Sequence, residues 1–473
     1  MKIALVNVLD VPEVPPMGLA YIATYLREYG SFENTKIIDA NVENVWDGIK
    51  IYKPDVIAIS SMTITYSTAI ELAKRIKQEQ DVPCIIGGPH ISTLPSSLSK
   101  DFDMGVIGEG EQTILELIQL YDKDKEFRKE KLKDIGGLAY HNNGKVSLTK
   151  KRDLIQPLDK IPIPDRKFLD PSYFNEKRVF FTDRIGREAH MLTLRGCPYR
   201  CIFCSTSALW QNVTRYHSVE HICSEVNELI DKYKVNAIQI WDDTFTINKK
   251  RLQEISEAFK KEKINEKVEF SCQPRANLVD DNLCEILKNI GVTTVSFGFE
   301  SGSDKVLNYL KAGSVTVEQN KTAIKTCKKH GLNVFGSLMF GSPGETLEDI
   351  RQTLDLIDFM GDNYVDLIWA FISTPFPSTE FWEVAKSRGK VNDEEMDWNT
   401  LSHSYAKNPF LLDDSVDRAE FKRLFEEAKQ RIYVSFERKY WHHSLGWMLK
   451  QGIVNPKRGF EVLLKILKLK TSY

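Results

Sequence analysis

The sequence predicts an α/β protein built in series: an N-terminal Rossmann-like doubly wound parallel sheet, then a partial (β/α)6 barrel, then a mainly helical C-terminal region. Short apolar runs alternate with helical spacing over residues 1–125, the alternation lapses over 126–188, and it resumes over 189–385. A chain of 473 residues also exceeds one ordinary core, so these stretches are expected to be separate domains, with 126–188 as a connector and 386–473 as the helical region.

In the first stretch, strands are expected at 2–8, 35–40, 55–60, 84–87 and 104–107. Between them lie patterns such as Leu19, Ile22, Ala23 and Leu26 at helical spacing, closed by Gly30. Such alternation implies parallel pairing, and doubly wound parallel sheets bind ligands at the carboxyl ends of their strands. The connector opens with the charged run YDKDKEFRKEKLKD, passes through a hairpin around Asn142-Asn143-Gly144, and ends in the proline-bearing run LDKIPIPDRKFLDP. Six more strands are expected at 190–194, 237–241, 268–272, 294–299, 334–340 and 366–372, each followed by a helical stretch, with functional groups again at the carboxyl ends. Beyond 386 the sequence turns polar and aromatic, and Trp398, His403 and Tyr405 are candidates to close the substrate side of the barrel. The run KRGFEVLLKILKLK at 457–470 sets Phe460, Leu463, Leu464 and Leu467 on one helical face beside lysines, which suits docking on the barrel or a peripheral membrane contact.

A net charge of −2 gives no global reason to expect nucleic acid, and none is expected as a partner. No uncharged apolar run reaches membrane-spanning length, and the first residues read as strand and loop rather than as a signal peptide, so a cytoplasmic location is expected. Eight cysteines in a chain this long are no disulfide framework. Cys84, Cys223, Cys272, Cys284 and Cys327 fall singly on expected strands or helices as small core residues.

The other three cluster in Arg195-Gly196-Cys197-Pro198-Tyr199-Arg200-Cys201-Ile202-Phe203-Cys204, directly after the first expected barrel strand. Three thiolates on one loop can hold three irons of a 4Fe-4S cluster and leave the fourth iron open. A structural zinc site would need a fourth ligand, and the nearest histidines, His190 and His217, are not adjacent. A Cys-x3-Cys-x2-Cys loop with an aromatic before its third cysteine, after the first strand of such a barrel, resembles the radical S-adenosylmethionine (SAM) superfamily. The resemblance implies a 4Fe-4S cluster on Cys197, Cys201 and Cys204, with SAM on the open iron and Phe203 against its adenine. It also places Asp243 of WDDTF on the SAM ammonium, with Asp242 in reserve, and Arg275 of SCQPRAN near the SAM carboxylate. Glu300 and Ser301 would lie beside the ribose, and Gly341 of GSLMFGSPGE on the adenine side.

The N-terminal motifs PPMGLA, GGPH and GEGE resemble the cobalamin-binding domain fused to many such enzymes. That resemblance assigns Ser60, Ser61, Gly87 and Gly88 to the pocket for the nucleotide tail of cobalamin, with Gly108 and Glu109 as further cobalamin contacts. The usual Asp-x-His-x-x-Gly, whose histidine ligates cobalt, is replaced by Asp39-Ala40-Asn41-Val42-Glu43-Asn44, and His90 is not a substitute. Cobalamin is therefore expected with no protein nitrogen below the metal, or the domain is retained as structure alone. The implied activity is reductive cleavage of SAM for methyl transfer to an unactivated carbon of a small-molecule or lipid-like substrate, with ferredoxin or flavodoxin as electron donor. The same parts would serve cyclisation, rearrangement or oxygenation. A non-catalytic cobalamin or redox sensor is a reading of another class, against which the full set of barrel motifs argues.

Overall fold

The structure, a computed structural model, describes residues 1–454 apart from 12, 394–395, 402–409 and 413–415, with side chains as far as 436. Its first sheet contains β1 (Ile3–Asn7), β2 (Thr35–Asp39), β3 (Val56–Ser60), β4 (Cys84–Gly87), β5 (Met104–Val106), β6 (Leu138–Asn142) and β7 (Lys145–Leu148). Their spatial order is β2-β1-β3-β4-β5-β6-β7, with parallel pairing from β2 to β5. Every residue of β1 is buried, as a strand covered on both faces requires. Ile3 and Leu5 face one core with the helices Met17–Gly30 and Gly110–Asp124, while Ala4 and Val6 face another with Trp46 and Tyr66. The strand order reverses at β1, which places the ligand-binding crevice beside β1 and β3.

The stretch read as a connector is partly absorbed by the sheets it joins. The hairpin forms, with Asn143 and Gly144 both at positive φ as a two-residue turn demands, but it adds antiparallel to β5 and extends the first sheet. Farther on, β8 (Glu176–Arg178) pairs antiparallel with the first strand of the second sheet.

That second sheet runs β8, β9 (Ile185–Met191), β12 (Ala237–Ile240), β13 (Glu269–Cys272), β14 (Val292–Glu300), β15 (Asn333–Phe340) and β16 (Leu367–Ile372), parallel from β9 to β16. One expectation is corrected here: the strand placed at 190–194 ends at Met191, and the chain leaves the sheet before the cysteine loop. Asp242 is the cause. Fully buried after β12, it accepts the backbone N–H groups of Thr193 (2.6 Å) and Leu194 (3.1 Å) and pulls that segment aside. Leu194–Arg195 (β10) then pairs with Arg215–Tyr216 (β11) in a separate ribbon that brackets the cysteines.

The long helix Arg418–Val454 buries Phe421, Leu424, Phe425 and Ala428 in the core shared with the helix Leu347–Asp362. Trp398 is buried against Trp382 and His90 rather than at the barrel mouth, which corrects its suggested role; His403 and Tyr405 lie outside the described residues. Residues 457–470 also lie outside them, and no described helix is long and apolar enough to cross a membrane.

Candidate functional site

The cysteine loop begins at Gly196, where φ is +100° and an added Cβ would lie 2.0 Å from the Val213 carbonyl oxygen, so only glycine fits. Cys197, Cys201 and Cys204 follow, all unpaired and half-buried. Their loop is tied by backbone bonds: Cys204 N–H to Cys201 O (3.1 Å), Ile202 N–H to Leu310 O (3.1 Å) and Glu380 N–H to Ile202 O (3.0 Å). Burial pushes the Cys197 and Cys204 thiols up, so a cation is needed to hold them as thiolates. The three sulfurs are not drawn into a group as tight as a mononuclear ion requires.

Carboxyl ends of the barrel strands ring this loop. Asp243 accepts from Gly196 N–H (3.0 Å) at the root of the loop and lies 3.4 Å from the Thr206 hydroxyl, whereas its neighbour Asp242 is committed to the fold. Arg275, after β13, sits 3.8 Å from the ring centre of Tyr199, and its Nη1 is 3.4 Å from Cys201 Sγ. Its Nε is buried with no acceptor among the described residues, an orphan that a carboxylate would satisfy. Glu300, at φ +62°, accepts from Lys311 Nζ (2.8 Å), and the same ammonium lies 5.3 Å from the Phe203 ring centre. Gly298 makes this fold-back work, since a Cβ there would strike Glu300 Oε1.

Two expected ligand contacts do not face the site. Ser301 is fully buried, with its hydroxyl against Thr353 Oγ1 (3.1 Å) and accepting from Ser303 N–H (3.1 Å). Gly341, at φ +81°, donates its N–H to Glu345 Oε2 at 2.5 Å, and a Cβ added there would meet Leu411 at 3.3 Å and Phe421 at 3.4 Å. Burial raises Glu345 to about 8 although it accepts from Gly341 and Ser342, and its second carboxylate oxygen has no partner among the described residues.

Across from the loop, the carboxyl end of the first sheet encloses a cavity of about 270 Å³. Ser60, Gly87, Gly88, Gly108 and Glu109 all line it, with apolar walls from Leu5, Ala58, Ile85 and Val106. Its lid comes from the other sheet's territory: Arg195, Leu209 and Trp210. Gly88, at φ +98°, would place a Cβ 2.6 Å from the Ser61 carbonyl oxygen, whereas a Cβ on Gly87 meets nothing closer than 3.9 Å. The buried Tyr21 hydroxyl on this wall has no partner among the described residues. An apolar slot with glycine floors and one orphan polar atom fits a flat heteroaromatic tail. Ser61 is absent from the wall; buried, it bonds Thr65 Oγ1 (3.2 Å) and Gly87 O.

His90 is buried between Thr63 Oγ1 (3.2 Å) and Ser97 Oγ (3.0 Å), a structural role. Asn41 sits at the β2 edge, where its side chain binds Val11 N–H (2.7 Å), Val14 O (3.1 Å) and the Tyr173 hydroxyl (3.1 Å). It therefore pins the loop after β1. As an amide it offers no basic nitrogen to a metal, and the expectation of no protein nitrogen below cobalt rests on that side chain.

Sequence reasoning missed the bridge between the first sheet and the β10–β11 ribbon. Buried Glu109 pairs with Arg195 (2.9 Å) and Arg215 (2.9 Å), and buried Glu111 with Arg195 (2.6 Å). The Trp210 ring lies near both guanidiniums, at 5.7 Å and 5.5 Å. Each residue is ordinary in isolation; only the repeated acidic pair in GEGE hinted that one glutamate faces a cation. Lys311 and Tyr199 carried no motif signal.

Comparison with known proteins agrees with this architecture. Residues 191–357 match the family model described as the radical SAM superfamily, and residues 5–118 that of the B12 binding domain. An uncharacterized methyltransferase of Pyrococcus horikoshii is 35% identical over 93% of this chain and 92% of its own length. The anaerobic magnesium-protoporphyrin IX monomethyl ester cyclase of Rubrivivax gelatinosus is 26% identical over 86% of this chain and 71% of its own. A solved structure of the radical SAM methyltransferase TsrM from Kitasatospora setae, with cobalamin and a [4Fe-4S] cluster bound, shares the fold at TM-score 0.68 and 18% identity, over 83% of this chain and 79% of that one.

Proposed function

The chain belongs to the radical SAM superfamily and carries its B12-binding domain, and from that premise we propose that it catalyses cobalamin-dependent methyl transfer to an unactivated carbon of a small molecule. The observation that supports this reading most is that the glycine-floored cavity is walled on one side by Leu192, Arg195, Leu209 and Trp210, which flank the cysteine loop in the chain. When bound, the 4Fe-4S cluster reductively cleaves SAM to an organic radical and the cobalamin carries the methyl group, so the cofactors supply the hard chemistry.

The chain's own residues bind and orient. Cys197, Cys201 and Cys204 are the cluster ligands in this reading. Arg275 offers its orphaned Nε to the SAM carboxylate, held in place by the Tyr199 ring. Asp243 stands at the root of the loop for the SAM ammonium. Glu300, steadied by Lys311, serves the ribose side and Phe203 the adenine. Gly87, Gly88, Ser60 and Gly108 leave room for the nucleotide tail, and the Glu109–Arg195 bridge fixes one site against the other. Electrons come from a small ferredoxin- or flavodoxin-type donor, and the need for a reduced cluster fits a cytoplasmic enzyme.

The magnesium-protoporphyrin cyclase among its relatives keeps cyclisation open as a second outcome of the same parts. Product analysis separates the two. Candidate substrates are incubated anaerobically with reduced, cobalamin-loaded enzyme and SAM bearing a deuterated methyl group. Methyl transfer yields S-adenosylhomocysteine and 5′-deoxyadenosine together, with the label in product. Turnover giving 5′-deoxyadenosine alone and an unlabelled product would overturn it.

A further inference from the structure

The second sheet carries a pocket lined by none of the residues assigned above to the cluster, SAM or cobalamin. Strand alternation sorts its side chains. Ile238, Phe270, Val295 and Val334 lie in the core shared with the helices. The residues one position on, Gln239, Ser271, Ser296 and Phe335, therefore face the lumen of the half-barrel, where they line a cavity of about 190 Å³.

Its walls differ in kind. On β12, β13 and β14 the wall is polar, made by Gln239, Ser271, Gln273 and Ser296. On β15 and β16 it is aromatic: Phe335 and Trp369 meet edge to face at 5.8 Å. Phe181, between β8 and β9, reaches Trp369 at 5.7 Å from the opposite edge of the sheet and closes the amino end of the lumen. No lining side chain carries a charge. Gln239 donates to Glu188 Oε1 (2.9 Å) and accepts from the Trp241 indole N–H (3.0 Å), which fixes the Trp241 ring as part of the wall. The side chains of Ser271, Gln273 and Ser296 hydrogen-bond to no described residue. Two residues beyond Trp241 and Gln273 stand Asp243 and Arg275, at most about 7 Å of extended chain away, so the pocket adjoins the proposed SAM site.

Size and polarity restrict the occupant. An apolar cavity of ~150 Å³ takes one benzene ring, so this lumen has room for a ring of that order and none for a macrocycle. Aromatic walls favour a flat ring, and free hydroxyl and amide groups favour a polar edge on it. An ion would lose water here without meeting a counter-charge.

We infer that the lumen seats an uncharged planar ring of the substrate, packed on Trp369 and Phe335 with its polar edge toward Ser271, Gln273 and Ser296. The inference rests on the proposed function only in calling that ligand the substrate.

Benzamide, benzoate, benzylammonium and cyclohexanecarboxamide separate the features, being of one-ring size and differing in charge or flatness. Their binding to full-length enzyme, loaded anaerobically with cluster, cobalamin and SAM, is read by ligand-detected nuclear magnetic resonance titration. Benzamide should bind saturably, and each of the others at least about tenfold more weakly, for want of a counter-charge or of a flat ring. Trp369→Leu should weaken benzamide by a similar factor. Gln273→Glu, isosteric and at an exposed position, should shift the preference from benzamide toward benzylammonium. Both variants should keep the parent's iron content and SAM affinity. No saturable benzamide binding, equal binding of the four probes, benzamide that binds only when SAM is omitted, or a parent-like preference in Gln273→Glu would overturn the pocket. Turnover plays no part in this readout. The expected binding pattern in an enzyme that transfers no methyl group would refute the proposed reaction and leave the pocket standing, whereas methyl transfer by an enzyme that fails these titrations would do the reverse.

Discussion

Replacing Glu109 by glutamine removes one charge from the bridge between the first sheet and the β10–β11 ribbon. In the native chain its carboxylate meets Arg195 and Arg215, each at 2.9 Å, and accepts from Ile155 N–H at 2.8 Å. After Glu109→Gln, Arg195 keeps the Glu111 carboxylate, but Arg215 loses its counter-charge and keeps only neutral acceptors, the Ile155 carbonyl oxygen and the single oxygen of the new amide. All four side chains are buried, so the lost partner is not replaced by water. Breaking a buried pair from one side costs about 3–5 kcal/mol; because only one of the two guanidiniums is stranded, a single such cost applies. At roughly 2 °C per kcal/mol for a large domain, thermal unfolding should fall by about 6–10 °C. Glu28→Gln, which touches a half-exposed pair with Arg27, is the control and should move it by no more than the roughly 0–1 kcal/mol of a surface ion pair. Differential scanning calorimetry of the cluster-free proteins in parallel reads both. Burial raises the Glu109 carboxyl, but Arg215 and Arg195 outweigh it and hold the group below its ordinary 4.5. Its contribution is therefore fully present above about pH 4.5 and is lost as pH falls through the lower folded value. The gap between parent and variant should close over that acid range. Equal midpoints at neutral pH, or a gap that widens on acidification, would refute the bridge as a structural link.

Arg275→Ala and Asp243→Asn should each keep a full iron complement and lose SAM affinity, read by equilibrium binding; normal binding in both would remove these residues from the SAM site. Gly88→Ala should cost about 1–3 kcal/mol through its glycine-only backbone conformation, whereas Gly87→Val should leave the thermal midpoint near that of the parent and abolish corrinoid binding by filling the cavity. Corrinoid retained by Gly87→Val would place the nucleotide tail elsewhere. Protein loaded with cob(II)alamin should show an electron paramagnetic resonance spectrum without nitrogen superhyperfine splitting, since Asn41, which stands where the usual cobalt-ligating histidine would, has no basic nitrogen; such splitting would contradict the empty lower face.

The alternation of strands and helices was legible because each strand buried on both faces reads as a continuous apolar run, and β1 and β4 match their expected places closely. The first barrel strand was misplaced for a reason no periodicity carries: Asp242 diverts Thr193 and Leu194 out of the sheet through hydrogen bonds made after folding. Motif residues with a backbone cause, such as Gly88 and Gly196, were recognisable, since positive φ demands glycine wherever the chain turns sharply. Ser301 and Ser61 looked alike in sequence to ligand-facing serines, and only packing shows their hydroxyls turned inward. Arg195 and Arg215 were invisible because their partner Glu109 lies 86 and 106 residues away along the chain.

The central claim is that three loop cysteines hold a 4Fe-4S cluster with one iron open to SAM. Electron paramagnetic resonance of the dithionite-reduced, reconstituted enzyme tests it directly, recorded with and without SAM. The account predicts a reduced-cluster signal whose g-values shift when SAM is added, and its loss in the Cys197→Ala, Cys201→Ala and Cys204→Ala variants. A signal indifferent to SAM, or one that persists when all three cysteines are replaced, would contradict it.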